Sequence, residues 1–174
     1  VSDLIAAVNA AQADGSPLEA ELIADPDNDD EDGIEPQGVF MPGEEATINV
    51  TVDQNALLDA WIDFNQNGVW DASEHLWGGV SEAVSAGTHP VNFTVPETAE
   101  PGASYARYRV SSTGGLAPTG LAEDGEVEDY QVAIQSVDFG DAEASYGTLR
   151  ADDGARHAIL GPRLGDLVDH DVDG

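Results

Sequence analysis

The chain has no cysteine, no lysine and only five basic residues, all arginine, against 35 aspartates and glutamates in 174 residues. The missing cysteine excludes disulfides and thiol nucleophiles, so stability must come from packing, hydrogen bonds or bound metal. The missing lysine excludes a phosphate-cradling P-loop and a lysine isopeptide cross-link. A formal net charge of −30 repels nucleic acid and anionic membranes. No apolar run approaches the ~18 residues of a membrane span. No signal peptide is visible, so a secreted chain would have lost it or would carry it outside this stretch. The four histidines, His75, His89, His157 and His170, make no H-E-x-x-H or other paired zinc spacing, and no G-x-S-x-G elbow occurs. Carboxylate pairs suited to glycoside hydrolysis arise by chance among so many acids, and no spacing singles one out. The chain is therefore read as no enzyme.

What is present begins with Asp63-Phe64-Asn65-Gln66-Asn67-Gly68-Val69-Trp70-Asp71-Ala72-Ser73-Glu74, in pattern D-x-N-x-N-G-x-x-D-x-x-E. This is the spacing of a twelve-residue calcium loop. Asp63, Asn65 and Asn67 alternate, so their oxygens converge on one point. Gly68 sits at the sharp turn, Val69 offers its carbonyl, Asp71 binds directly or through water, and Glu74 closes the shell with both oxygens. The alternative is a polar hairpin turn, because Asn-Gly alone is a turn signal. The flanks exclude a helix–loop–helix hand: an apolar strand-like run, Ala56–Ile62, precedes the loop, and Gly78-Gly79 follows it.

Around this loop the pattern is all-β from about residue 35 to 135. Ile48, Val50 and Val52 alternate with Thr47, Asn49 and Thr51. Leu58, Ala60, Ile62 and Phe64 share a face, as do Val91, Phe93 and Val95. Leu76–Val84 reads as a further strand. In Ser104–Ser111 the residues Ala106, Tyr108 and Val110 face opposite to Tyr105, Arg107 and Arg109, and Tyr130, Val132 and Ile134 group likewise. Short strands at this spacing, separated by Pro-Gly and Gly-Gly turns, predict an antiparallel, Ig-like β-sandwich with Ile62, Phe93, Tyr108, Tyr130 and Val132 in its core. Three regions follow: an N-terminal arm and acidic segment, 1–34; the sandwich, 35–135; and a loop-rich C-terminal segment, 136–174.

Two further acidic stretches invite metal. Asp25, Asp27, Asp29 and Asp32 lie in a run interleaved with Pro26 and Asn28, which is either a second calcium site or a solvated charge run. Glu126, Glu128 and Asp129 precede or flank Tyr130 at a strand start, where like charges are costly unless a cation sits between them. Residues 1–14 form a short capped helix or an extended arm. The tail, with Asp169, Asp171 and Asp173, ends in Asp-Gly as Asp14-Gly15 does, the rhythm of a tandem array. Trp61, Trp70 and Trp77 cluster about the calcium loop and form either a sugar platform or sandwich packing.

Gly125-Glu126-Val127-Glu128-Asp129-Tyr130 resembles the signature of the GEVED domain, a module of large bacterial surface and secreted proteins. Trp61–Glu74 resembles that family's midsection. Asp138-Phe139-Gly140-Asp141 through Tyr146-Gly147, with Gly154-Ala155-Arg156-His157 and Leu164-Gly165, is similar to a linker unit that recurs beside such domains. The resemblance implies an extracellular β-sandwich in a repetitive architecture, without catalytic activity. The expected function is a calcium-binding structural module of a cell-surface array or filament, joined head-to-tail to copies of itself or to tandem repeats of one chain. The alternative is a calcium-dependent carbohydrate-binding or adhesion module. Neither a nucleic acid nor an inserted membrane is an expected partner.

Overall fold

The computed structural model describes residues 32–160, 162 and 164–166. Asp25, Asp27 and Asp29, the N-terminal arm and the Asp169–Asp173 tail lie outside the described residues, with the expectations attached to them.

Nine strands and three single-turn 3-10 helices make up the described chain. One sheet holds β1 (Ile34–Pro36), β2 (Glu45–Val52) and β5 (Gly87–Thr94), in the order β1-β2-β5. The other holds β3 (Ala56–Ile62), β4 (Glu82–Val84), β6 (Gly102–Ser111) and β7 (Glu126–Ile134), in the order β4-β3-β6-β7. Every strand pair is antiparallel. The two sheets close on one core, as an all-β sandwich.

Alternation builds the first sheet. In β2, Ala46, Ile48 and Val50 are buried, while the outward Thr47 and Thr51 hydrogen-bond across to Asn92 and Thr88 of β5. The opposite sheet contributes Leu58, Ala60, Ile62, Ala106, Tyr108, Tyr130, Val132 and Ile134 to the same cluster. The five core residues expected from the pattern are all buried. Ile48 is fully buried, so truncating it to alanine is expected to cost about 2–5 kcal/mol.

β3 departs from strict alternation because both its faces are covered. Leu58, Asp59, Ala60, Trp61 and Ile62 are all buried in succession, since β3 is central in its sheet and the segments 72–81 and 112–120 pack over its outer side. This explains a run that reads as apolar throughout.

The expected Leu76–Val84 strand is corrected: only Glu82–Val84 is strand. Gly78 and Gly79 take φ of 64° and 84°, left-handed conformations that a side chain disfavours and that turn the chain before β4.

The C-terminal segment is more ordered than a loop. β8 (Val137–Phe139) pairs with β9 (Arg156–Ala158), with 3-10 turns at Ala144–Tyr146 and Arg150–Asp152 between them. Arg156 Nε donates to Glu44 at 2.6 Å and Arg150 Nη1 to the same carboxylate at 3.4 Å. The Arg150 guanidinium also lies 5.0 Å from the Phe139 ring centroid. Glu44 thus receives two of the few cations and docks the small sheet on the sandwich.

Candidate functional site

The loop after β3 folds around the carboxylate of Asp63. Its Oδ1 accepts the Asn67 N–H at 3.1 Å and its Oδ2 the Gly68 N–H at 2.9 Å. To wrap so tightly the backbone takes left-handed φ at Gln66 (53°) and Gly68 (78°). The Asn67 N–H is shared with Asn65 Oδ1, and Asn67 Oδ1 accepts from the Val69 N–H at 2.7 Å. The amides of Asn65 and Asn67 both donate to Asp71 Oδ2, at 3.2 and 3.0 Å. Glu74 bends back, accepting the Asp71 N–H at 2.9 Å and the Asn65 N–H at 3.4 Å. The structure therefore brings together Asp63, Asn65, Asn67, Asp71 and Glu74. Val69 is exposed.

Both rims of the loop are anchored. Ser104 donates to the Asp63 carbonyl at 2.5 Å and Gln66 to the Glu100 carbonyl at 2.7 Å. Glu74 and Asp63 are buried. Burial pushes the Glu74 carboxyl above its ordinary value; the Asp71 and Asn65 N–H groups pull it back, and the neighbouring charges of Asp63 and Asp71 push it up again.

Among the described residues, no three or more Asp, Glu or His side chains are gathered into a metal cage on their own. The loop's carboxylates are drawn onto main-chain donors, and two of its side-chain positions are amides. The donor set nevertheless fits a hard cation: all its candidate ligand atoms are oxygen, and the charges of Asp63 and Asp71 both bear on Glu74. Calcium bound there would supply the positive charge that Glu74 lacks. Asp63, Asn65, Asn67, Val69, Asp71 and Glu74 are the residues that would hold it.

The second acidic cluster is placed differently. Glu128 is buried and grips the start of β1. Its Oε1 accepts the N–H groups of Asp32 (3.3 Å) and Gly33 (3.2 Å), and its Oε2 accepts the Tyr130 hydroxyl at 3.0 Å. Tyr130 in turn receives the Ile34 N–H at 3.3 Å. Three successive main-chain donors are thus held by two side chains of β7. Burial raises the Glu128 pKa, the bonds from Tyr130, Gly33 and Asp32 lower it, and Glu126 raises it. Glu126 is exposed at the head of β7.

Asp129 is corrected. Strand alternation sends it to the opposite face, where it pairs with Arg107 through Nε at 2.7 Å and Nη2 at 2.5 Å, so it shares no site with Glu126 and Glu128.

One member of the tryptophan platform, Trp61, is also corrected. Trp61 is 3% exposed and packs edge-on against His75, out of reach of a glycan. Trp77 donates its indole N–H to the Asn92 carbonyl at 3.0 Å. Trp70 is half-buried beneath the Arg107 guanidinium, 5.4 Å from its ring centroid.

Two features carried no clear sequence signal. Asp59, 1% exposed, accepts from His75 Nε2 at 3.2 Å, Ser81 Oγ at 2.8 Å and the Leu116 N–H at 3.0 Å. The Trp77 N–H donates to His75 Nδ1, which fixes the imidazole as the Nε2–H tautomer. Next to it, Arg109 donates to the carbonyls of Ala117, Thr119 and Gly120. The one hint was a polar Asp59 inside an apolar run.

Against known families, the segment from β3 through most of β7 is decisive. Residues 57–133 match the family model of the GEVED domain. The resemblance of the signature hexapeptide holds for this stretch. The folded unit is larger than the match: β1 and β2 precede it, yet they bring Ile34, Ile48 and Val50 to the core, and the GEVED residue Glu128 holds β1. The linker-like β8–β9 unit lies beyond it. No curated protein and no solved structure matches the chain.

Proposed function

We propose that the chain is a calcium-binding structural module of an extracellular or cell-surface array or filament, with no catalytic role. One observation carries this reading: five oxygen-bearing side chains of D-x-N-x-N-G-x-x-D-x-x-E spacing converge on one anchored loop, with the buried Glu74 carboxylate among them. A net charge of −30 adds a reason for cations, because self-repulsion destabilises the compact state. Assembly with copies of itself or with tandem repeats agrees with the docked linker-like β8–β9 unit. Among the described residues no helix is long and apolar enough to cross a membrane. The adhesion alternative would have to rest on the partly exposed Trp70 and Trp77, since Trp61 is buried.

Calcium titration tests the proposal. Binding to the folded state stabilises by RT ln(1 + [L]/Kd), about 2.7 kcal/mol at a hundredfold excess over Kd. Melting temperature should rise with calcium and fall with chelator, and Glu74→Ala should abolish most of that response. An identical melting temperature in chelator and in saturating calcium defeats the metal reading. A strictly monomeric protein in calcium at high concentration defeats self-assembly and leaves the tandem-repeat form.

A further inference from the structure

Asn67-Gly68 is the one Asn-Gly pair in the chain. Such a pair is reactive by its chemistry. The main-chain nitrogen that follows an asparagine can attack the side-chain amide carbon, and a glycine leaves that nitrogen unshielded. At Gly68 nothing stands within 4 Å of where a Cβ would be. Both residues are exposed, so water can enter and ammonia can leave.

The fold adds one contact to each group that the attack changes. The Gly68 N–H, on the attacking nitrogen, donates to Oδ2 of the buried Asp63 at 2.9 Å. Asn67 Oδ1, where negative charge develops, accepts the Val69 N–H at 2.7 Å. Asn67 Nδ2, the leaving nitrogen, donates to Asp71 Oδ2 at 3.0 Å. The Val69 bond curls the Asn67 side chain forward over the Gly68 peptide, which is the direction the attack requires. Asn65 in the same loop is the contrast. The nitrogen that follows it belongs to Gln66, and its N–H donates to the Asp63 main-chain carbonyl at 3.4 Å instead of to a carboxylate.

We propose that Asn67 is a site of self-catalysed covalent modification. Gly68 N closes on Asn67 Cγ to a succinimide, which water opens to aspartate or isoaspartate. As the N–Cγ bond forms, the N–H proton passes to Asp63 as general base, and the Val69 N–H meets the charge on Oδ1 as an oxyanion donor does. The Cγ–Nδ2 bond then breaks. The proton held by Asp63 returns by way of solvent to Nδ2, which leaves as ammonia. Water adds to one of the two ring carbonyls, and nothing is oxidised or reduced. Opening at one carbonyl leaves an aspartate, so the loop reads D-x-N-x-D-G and gains a carboxylate. Opening at the other runs the main chain through an extra carbon and shifts the loop's donors out of register. The reaction needs no bound metal; only its consequence for calcium rests on the proposed function.

The test ages the full chain in neutral buffer with chelator. Intact mass follows the conversion, and peptide mapping locates it and separates aspartate from isoaspartate. The reference is the same chain unfolded in guanidinium chloride, which keeps the sequence and removes the contacts. Conversion at Asn67 should be at least about tenfold faster in the folded chain, a modest share of what a positioned general base contributes, with Asn65 unconverted. Asp63→Asn, shown to be folded by its melting transition, should fall to the unfolded rate, and Asn67→Gln should not convert. A folded rate equal to or below the unfolded one overturns the proposal, because the contacts then restrain the pair instead of activating it. So does a folded Asp63→Asn chain that keeps the full rate. Because the rates are read in chelator, a chain with no response to calcium would defeat the proposed function and leave them unchanged.

Discussion

Glu128→Ala removes the side-chain acceptor of the N–H groups of Asp32 and Gly33 and of the Tyr130 hydroxyl. The two N–H bonds are long, at 3.3 and 3.2 Å, and merit about 1 kcal/mol each; the bond from Tyr130 to an ionised group merits about 1.5–3 kcal/mol. Against this stands the cost of burying a carboxylate, visible in its raised pKa. The net expectation is a loss of about 2–4 kcal/mol, or about 5–15 °C in melting temperature for a chain of this size. Glu128→Gln keeps one acceptor and sheds the buried charge, so its loss should be smaller, about 1 kcal/mol. Urea unfolding in chelator and in saturating calcium is the assay. If Glu128 latches β1, the loss is the same in both solutions. A loss that appears only in calcium would make Glu128 a metal ligand and refute the latch, as would a loss below about 0.5 kcal/mol in both.

Gly125 has φ of 92°, and a Cβ there would meet the Val110 carbonyl oxygen at 1.8 Å, so Gly125→Ala should fail to fold at 37 °C. Gly120→Ala, with a similar φ of 91° and open space around it, should cost only about 1–2 kcal/mol, and equal melting temperatures for the two would contradict the close-approach argument. For pH, the raised values of Glu74 and Glu128 mean that the folded state binds their protons more tightly than the unfolded chain. Their stabilising contribution is full below the ordinary 4.5 and is lost as pH rises through the folded values. In chelator the protein should therefore unfold at lower urea at pH 7 than at pH 5, with calcium at pH 7 narrowing the gap; greater apo stability at pH 7 would count against it. Arg109→Met should free the 117–120 carbonyls and speed hydrogen exchange at the Leu116 amide, and unchanged protection there would show that Asp59 alone holds the loop.

Period-two alternation was legible in the sequence wherever one strand face met solvent, as in β2 and β5, and the core came with it. It failed at Leu76–Val80, where Leu76 and Trp77 pack against the core without joining the sheet and Val80, after Gly78-Gly79, is exposed. The residues of the candidate calcium loop converge because their pattern is local, each oxygen lying within twelve positions of the others. The partners of Glu128 and Asp129 were not legible. Glu128 meets Asp32 and Gly33 from 96 and 95 residues away, and Asp129 meets Arg107 through the β6–β7 register. The same limit hid Asp59, whose three donors come from two different loops.

These placements share a physical logic. Among the described residues four carboxylates are buried: Asp59, Asp63, Glu74 and Glu128. None of them is paired with an arginine, and a chain with five arginines could hardly do otherwise. Each instead accepts main-chain N–H groups: Leu116 on Asp59, Asn67 and Gly68 on Asp63, Asn65 and Asp71 on Glu74, Asp32 and Gly33 on Glu128. N–H groups free to point at a side chain occur where the ladder stops, so each buried acid organises a loop or a strand entry around itself. Partial positive charge of this kind solvates a carboxylate but does not neutralise it. At Asp59 and Glu128 a hydroxyl or an imidazole supplies further donors, whereas Glu74 feels the charges of Asp63 and Asp71 with main-chain donors alone. That difference sets the candidate calcium loop apart: it is where a divalent cation would relieve the most repulsion, and substituting Glu74 there should change the response to calcium, while substituting Asp59 or Glu128 should change stability in its absence.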